Sequence, residues 1–290
     1  MIFFFSLDGI CYQFTTDEVV ISDGLSGNQE EADTKLIFHC LNVLKSNQSG
    51  PVIIRSHSGD TDINIIAASL ILENANRVFI DFNTGDNRKL LCLGDLSLEG
   101  VKQAALIGLH AFTGNDFAFS FFRKSKRKCW NVIRNNPTYF NAFAELGTEW
   151  FPSEILQNKL ERFVCLLYSQ QKMKIQNVNE LRYALYKKKF EVKDKIIDLS
   201  LLPPCLDSLK LHMLRACFIA RRYRLSGERV IDEPNMVNHG WEADGHIQWV
   251  NKSFPAEIEL LLVEEDTLNV NEQEYEEVDD ESDNDNDDNE

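Results

Sequence analysis

Three groups of carboxylates are spaced along the chain. Glu30, Glu31 and Asp33 lie in 29-QEEADTKLIFHC-40, just ahead of an apolar-periodic run. Asp60 and Asp62 lie in 55-RSHSGDTD-62, directly after the short apolar run 52–54, and Asp116 lies in 110-HAFTGNDF-117. Carboxylate oxygens suit hard divalent cations such as Mg²⁺ and Mn²⁺, which keep several waters when bound. Two such ions a few ångströms apart can activate a water and stabilise a leaving phosphate oxygen. That chemistry draws about four to seven acids from separate segments, and these groups supply five or six. Each group also has an ordinary reading. Acids in a helix's first turn are favoured by the macrodipole and by capping alone. Asp-Thr-Asp ahead of a helix makes an N-cap pair, and an Asp after Gly-Asn is a common turn residue.

The elements that must position these acids can be read from periodicity. Residues 1–22 alternate β-rich segments with polar turns and predict a β-hairpin, with Asp8 in its turn. A helix is expected over 30–45, with Leu36, Ile37, Cys40, Leu41 and Leu44 on one stripe, ended by Gly50-Pro51. Strands are expected at 52–54 and 78–82, with a buried helix over 63–72 between them. Residues 88–96 read as a strand leading into a helix start, and the helix that follows reaches about Gly108. This order argues an α/β sheet of partly parallel order. Ligand sites in open α/β sheets collect at the carboxyl ends of strands, where the loop holding Asp60 and Asp62 would lie. Helices are further expected over 119–134, 137–146, 153–171, 178–190 and 206–225.

The formal net charge is −16. Fifteen of those negative charges fall within 264–290, which has no Lys or Arg, so the rest of the chain is nearly neutral. Acidic partners are therefore not excluded. The tail is almost free of apolar residues and is expected to be disordered. It could repel nucleic acid, shield basic residues, bind basic proteins or simply solubilise the chain. The seven cysteines are scattered without a CxxC pair, which suits reduced thiols inside a cell. No apolar run is long enough to span a bilayer, so no membrane partner is expected. His212 with Cys217, and His239 with His246, lack zinc-ligand spacing. No P-loop, G-x-S-x-G or G-x-G-x-x-G motif occurs.

In their order, 30-EEADT-34, 58-SGDTD-62 and 110-HAFTGND-116 resemble the core of flap-endonuclease-type 5′ nucleases of the PIN-like superfamily, asteroid-like branch. The later 239-HGW-241 and Ile247-Gln248-Trp249 resemble the C-terminal part of the same relatives, so the likeness spans about residues 1–255. The resemblance implies an α/β fold: a partial PIN-like, Rossmann-like sheet core over 1–117, a helical region over 118–225, an irregular segment over 226–263 and the acidic tail over 264–290. It implies Glu31 and Asp33 as a first pair of ligands for Mg²⁺ or Mn²⁺, Asp60 and Asp62 as a second, and Asp116 as the last. The activity implied is a metal-dependent phosphodiesterase or endonuclease. The alternative is a non-catalytic remnant that binds nucleic acid or protein.

The chain departs from the family in three places. Only about 30 residues precede the first acidic pair. The family's N-terminal half, with a further strand-borne Asp and substrate-guiding helices, is expected to be missing. Hydroxyls that follow the last Asp in relatives are replaced by Phe117 and Ala118. The glycine-rich turn that should come next is 122-FRKSKRKCW-130 instead. There Arg123, Lys124, Lys126, Arg127 and Lys128 put five charges into six positions. Such a cluster grips phosphate backbone with salt-sensitive affinity and no sequence reading, and DNA rather than RNA is the expected partner. It also has the make-up of a solvated helix face or a nuclear-import signal, so a nuclear location is expected. Arg221, Arg222 and Arg224 fall at a helix end, where basic residues belong on structural grounds.

Overall fold

The computed structural model describes residues 3–46, 50–55, 61–82, 89–96, 98, 100–169, 174–190 and 198–248. The chain divides into two units, Met1–Trp249 and Val250–Glu290. The second, with the acidic tail, lies outside the described residues, as do Asp60 and the rest of 56–60.

The N-terminal segment forms a three-stranded antiparallel sheet of β1 (Phe3–Leu7), β2 (Ile10–Phe14) and β3 (Val19–Ile21). Asp8 and Gly9 make the first turn, both with positive φ, at 48° and 78°. That is the geometry of a type I′ hairpin, whose twist matches that of the strands it joins. Asp8 is therefore a turn residue. The helix α1 (Ala32–Lys45) follows.

A second sheet is built from β4 (Val52–Arg55), β5 (Val78–Phe82) and β6 (Lys89–Cys92). β4 and β5 run parallel, joined through α2 (Thr61–Leu70), and β6 pairs antiparallel to β5. The mixed α/β character expected from the sequence is thus present. The parallel pair directs the carboxyl ends of β4 and β5 to the same side, and α2 begins there.

Five helices complete the described structure after α3 (Val101–Thr113): α4 (Lys126–Asn135), α5 (Tyr139–Glu145), α6 (Glu154–Ser169), α7 (Val178–Phe190) and α8 (Leu206–Arg224). α3 runs five residues past the expected end at Gly108. Gly108 is kept inside the helix because α5 approaches it closely: a Cβ there would lie 2.1 Å from the Phe143 carbonyl oxygen. The helix stops at Gly114, whose φ is 112°. The helix expected over 119–134 begins only at Lys126. Ser125, in extended conformation, caps it by accepting from the Lys128 amide at 3.2 Å, and Arg123 just before it has a φ of 53°.

One hydrophobic core runs through both sheet-side and helical regions without a break at residue 117. At its middle the Phe112 ring lies 5.4–6.1 Å from the rings of Phe121, Phe143 and Phe163 and 5.1 Å from His212. His212 is buried and donates from Nε2 to the Phe112 carbonyl at 2.8 Å. The segment 239-HGW-241 is packed onto α8. His239 stacks on Phe151 at 4.1 Å, Trp241 meets Phe218 edge-on at 5.5 Å, and the Gly240 carbonyl accepts from Arg215 at 2.9 Å. Among the described residues no helix is long and apolar enough to cross a membrane.

Two outcomes follow from this packing. Gly108→Ala forces α3 and α5 apart and should lower stability by about 1–3 kcal/mol in urea unfolding. Burial depresses the His212 pKa from 6.5 to about 4, helped by Arg215 and opposed by the bond to Phe112. A neutral buried imidazole stabilises the fold fully above pH 6.5, and that contribution declines as pH falls towards the folded value. The urea midpoint should therefore drop between pH 6.5 and 4, and His212→Gln, which keeps a donor for the Phe112 carbonyl, should flatten that drop.

Candidate functional site

Asp62 stands in the first turn of α2, at the end of the parallel sheet where β4 has just finished. It is 6% exposed. His110 of α3 donates from Nε2 to its Oδ1 at 2.7 Å, and the Tyr223 hydroxyl of α8 donates to its Oδ2. Burial alone would raise the Asp62 pKa. The hydrogen bonds from His110 and Tyr223, with the charges of His110 and Lys126, outweigh it and hold the carboxyl below its ordinary value. Tyr223 shows the counterpart. Burial comes first, then the hydrogen bond and charge of Asp62, then Glu31 and Asp33, and together they push its phenol far above the usual range.

Tyr223 therefore sits within the field of three of the five expected ligands. Glu31 and Asp33 reach it from the start of α1, and Asp62 from the start of α2. The ordinary helix-start reading is also satisfied, because Asp33 lies in the first turn of α1. Glu31 occupies the N-cap position in extended conformation, but its side chain makes no capping bond. Its Oε1 instead faces Arg222 Nη1 at 3.6 Å, while Arg222 Nε binds Glu233 Oε2 at 2.9 Å. Burial raises the Glu233 pKa; Arg222 lowers it, and Glu30 and Glu31 raise it.

Asp116 is exposed, in a turn closed by Asn115 Oδ1, which accepts from the Phe117 and Ala118 amides at 2.9 Å each. Lys126 feels the charges of both Asp116 and Asp62. The Lys126 side chain is largely exposed, yet its ammonium folds back to donate to the Gly114 carbonyl. Desolvation lowers its pKa, against the opposing pull of Asp62, Cys129 and Asp116. The sequence places Lys126 with the outward basic residues. Lys126 is exposed like its basic neighbours, and its charge is also felt by Asp62 and Asp116. Arg123, Arg127 and Lys128 remain exposed, and Lys124 lies over the Tyr168 ring at 4.7 Å.

Several members of the site carried weak sequence signals. Tyr223 has the spacing of a core aromatic on an amphipathic helix. His110 opens the third motif but precedes its acid by six residues and lies on α3, which ends before that acid. Glu233 lies in a stretch with no periodicity. Asp81 on β5 is 3% exposed and binds Arg55 Nε of β4 at 2.6 Å, a second buried acid that reads only as a strand residue.

Both Asp62 oxygens thus accept hydrogen bonds, and Glu31 shares Arg222 with Glu233. Among the described residues, no group of three or more His, Cys, Asp or Glu side chains is disposed to hold one metal ion. Asp60, the partner expected of Asp62, falls outside them. What the described cluster provides is an array of acids answered by the protein's own donors: an imidazole, a phenol and a guanidinium. No family model, no curated protein and no solved structure matches this chain.

Tyr223→Phe leaves Oδ2 of a buried carboxylate without its donor and should cost about 1–3 kcal/mol in urea unfolding at pH 7. The sign of the pH effect follows from the depressed Asp62 pKa. Its contribution is present above the ordinary carboxylate value and is lost as pH falls through the lower folded value. Removing the hydroxyl raises that folded value, so the variant should begin its acid loss at higher pH than the wild type.

Proposed function

We propose that this chain is a PIN-like domain of the flap-endonuclease type, asteroid-like branch, that binds nucleic acid, DNA in preference to RNA, without cutting it. The supporting observation is the state of Asp62. A hard cation takes oxygens that are free to face it, and both Asp62 oxygens already face buried donors. Ligation there would break two hydrogen bonds on a buried charge, each costly to lose.

The binding half of the proposal rests on the segment after Asp116. Lys126, Arg127 and Lys128 form the first turn of α4, where the helix dipole is already positive. Cations there lower helix stability, so their placement suits an anionic partner better than it suits the helix. Phe117, Phe119 and Phe122, 39–48% exposed, are interleaved just upstream. Exposed aromatics beside basic residues offer base stacking together with phosphate neutralisation, a combination that suits single strands.

A second reading, a Mg²⁺- or Mn²⁺-dependent nuclease using Glu31, Asp33, Asp60, Asp62 and Asp116, is favoured by one tyrosine that bonds Asp62 and feels the charges of Glu31 and Asp33. One experiment separates the two. Flapped DNA, single-stranded DNA and RNA are incubated with the protein and Mn²⁺ or Mg²⁺, and binding is followed by fluorescence anisotropy across a salt series. The expected outcome is binding without cleavage. Arg127→Gln with Lys128→Gln should reduce the slope of log affinity against log salt by about 1.4, the loss of two single-strand phosphate contacts. Cleavage that disappears in Asp62→Asn would establish the nuclease reading instead, and an unchanged salt slope would remove the basic grip.

A further inference from the structure

A separate cleft lies between the N-terminal hairpin and α1. Its volume is about 1090 Å³, and Phe4, Leu7, Leu36 and Val43 supply much of its wall. On the helix side the lining residues Ala32, Lys35, Leu36, His39 and Val43 recur at the spacing of a single helical face. On the hairpin side Phe4 and Leu7 are 47% and 54% exposed. Large apolar side chains held in water on both walls of one cleft mark a binding surface. The volume lies just above the usual range for small-molecule sites, enough for an extended molecule.

Lys35 gives the cleft its polarity. It is 8% exposed, and its ammonium is closed off from water with no hydrogen-bond partner, so a ligand meets it once the side chain turns into the cleft. The Phe38 ring, with its centroid 5.6 Å from Nζ, offers weak compensation. A buried ammonium needs an acceptor, because three unmade hydrogen bonds on a desolvated charge are costly. His39, the other basic lining residue, already meets Ser6 Oγ through Nε2 at 3.1 Å. Asp8 and Glu30 also line the cleft and oppose negative charge, so only an acid group seated on the Lys35 ammonium itself is favoured, and a second is not.

We infer that this cleft binds an amphipathic monocarboxylate of the fatty-acid class, with its acyl chain along Phe4, Leu7, Leu36 and Val43 and its carboxylate on the Lys35 ammonium. One cation matches one carboxylate, and the apolar walls match a chain. The carboxylate supplies the acceptor that Lys35 lacks, while the chain removes exposed apolar surface from water. Neither part involves the acidic cluster or α4, so the inference stands apart from nucleic-acid binding.

The test uses the full chain and dodecanoate, below its micellar concentration, displacing a dansyl-labelled undecanoate probe. Dodecanol, with the same chain and no charge, is the comparison. Dodecanoate should displace the probe at a concentration about tenfold or more below that of dodecanol, the margin of a charge-assisted hydrogen bond. Lys35→Met, of similar length and uncharged, should erase that preference while leaving the far-ultraviolet circular dichroism spectrum unchanged. Should that variant fail to fold, Val43→Glu offers a second route. Val43 is 37% exposed, so the change is tolerable, and it should weaken dodecanoate about tenfold more than dodecanol. Failure of dodecanoate to displace the probe, equal potency of acid and alcohol, or a preference that persists in both variants would overturn the inference.

Discussion

Asp62 is a carboxylate taken out of water at the first turn of α2, and His110 and Tyr223 supply the hydrogen bonds that water no longer makes. Burying a charge without such partners is prohibitive, so α2, α3 and α8 must keep their relative positions for the fold to exist. The two bonds span 48 and 161 residues of sequence. They fasten the parallel sheet to the helical half of the unit, and the phenylalanine cluster around Phe112 joins α3 to α5 and α6.

α8 carries most of what answers the acids. Tyr223 faces Asp62, and its neighbour Arg222 faces Glu31 and Glu233. One residue further, Arg224 donates to the carbonyls of Phe143, Ala144 and Leu146 at 2.9–3.1 Å, at the end of α5. A guanidinium at a helix C-terminus both satisfies orphan carbonyls and complements the dipole. The arginines of this helix end are structural, as their position implies, and Arg222 adds a link to the acidic cluster. Arg215, earlier on α8, secures Gly240 and with it the His239 and Trp241 clasp. One helix therefore holds the sheet, the α5 end and the C-terminal segment in register. The hairpin stands apart from this arrangement, and its exposed apolar residues with the unsatisfied Lys35 form a cleft of a different chemical kind.

Much of the secondary structure is legible in the sequence because it is local. The apolar stripe from Leu36 to Leu44 makes α1, the β-branched runs at 52–54 and 78–82 make the parallel pair, and Asp8-Gly9 makes a tight turn. The misplacements occur where a neighbour decides. Gly108 looks like a helix end, yet it lies mid-helix because Phe143 of α5 needs the space of its missing Cβ. The stretch 119–125 looks helical in composition, yet Ser125 sets the start of α4 from outside the helix. For the candidate site, the sequence shows which acids begin helices but not what opposes them. Lys126 illustrates the limit: its composition groups it with an outward basic run, while its ammonium is turned inward to Gly114 by the path of the loop.

The sequence by itself determined the α/β order of elements, the acids at the starts of α1 and α2, and the concentration of positive charge after Asp116. These depend on side-chain type and spacing over a few residues. Only the tertiary structure decided that Tyr223 would bond Asp62 within the field of Glu31 and Asp33, that His110 would bond the other oxygen of Asp62, and that Lys35 would be buried without an acceptor. Each of these is a juxtaposition of distant segments, fixed by how whole helices pack.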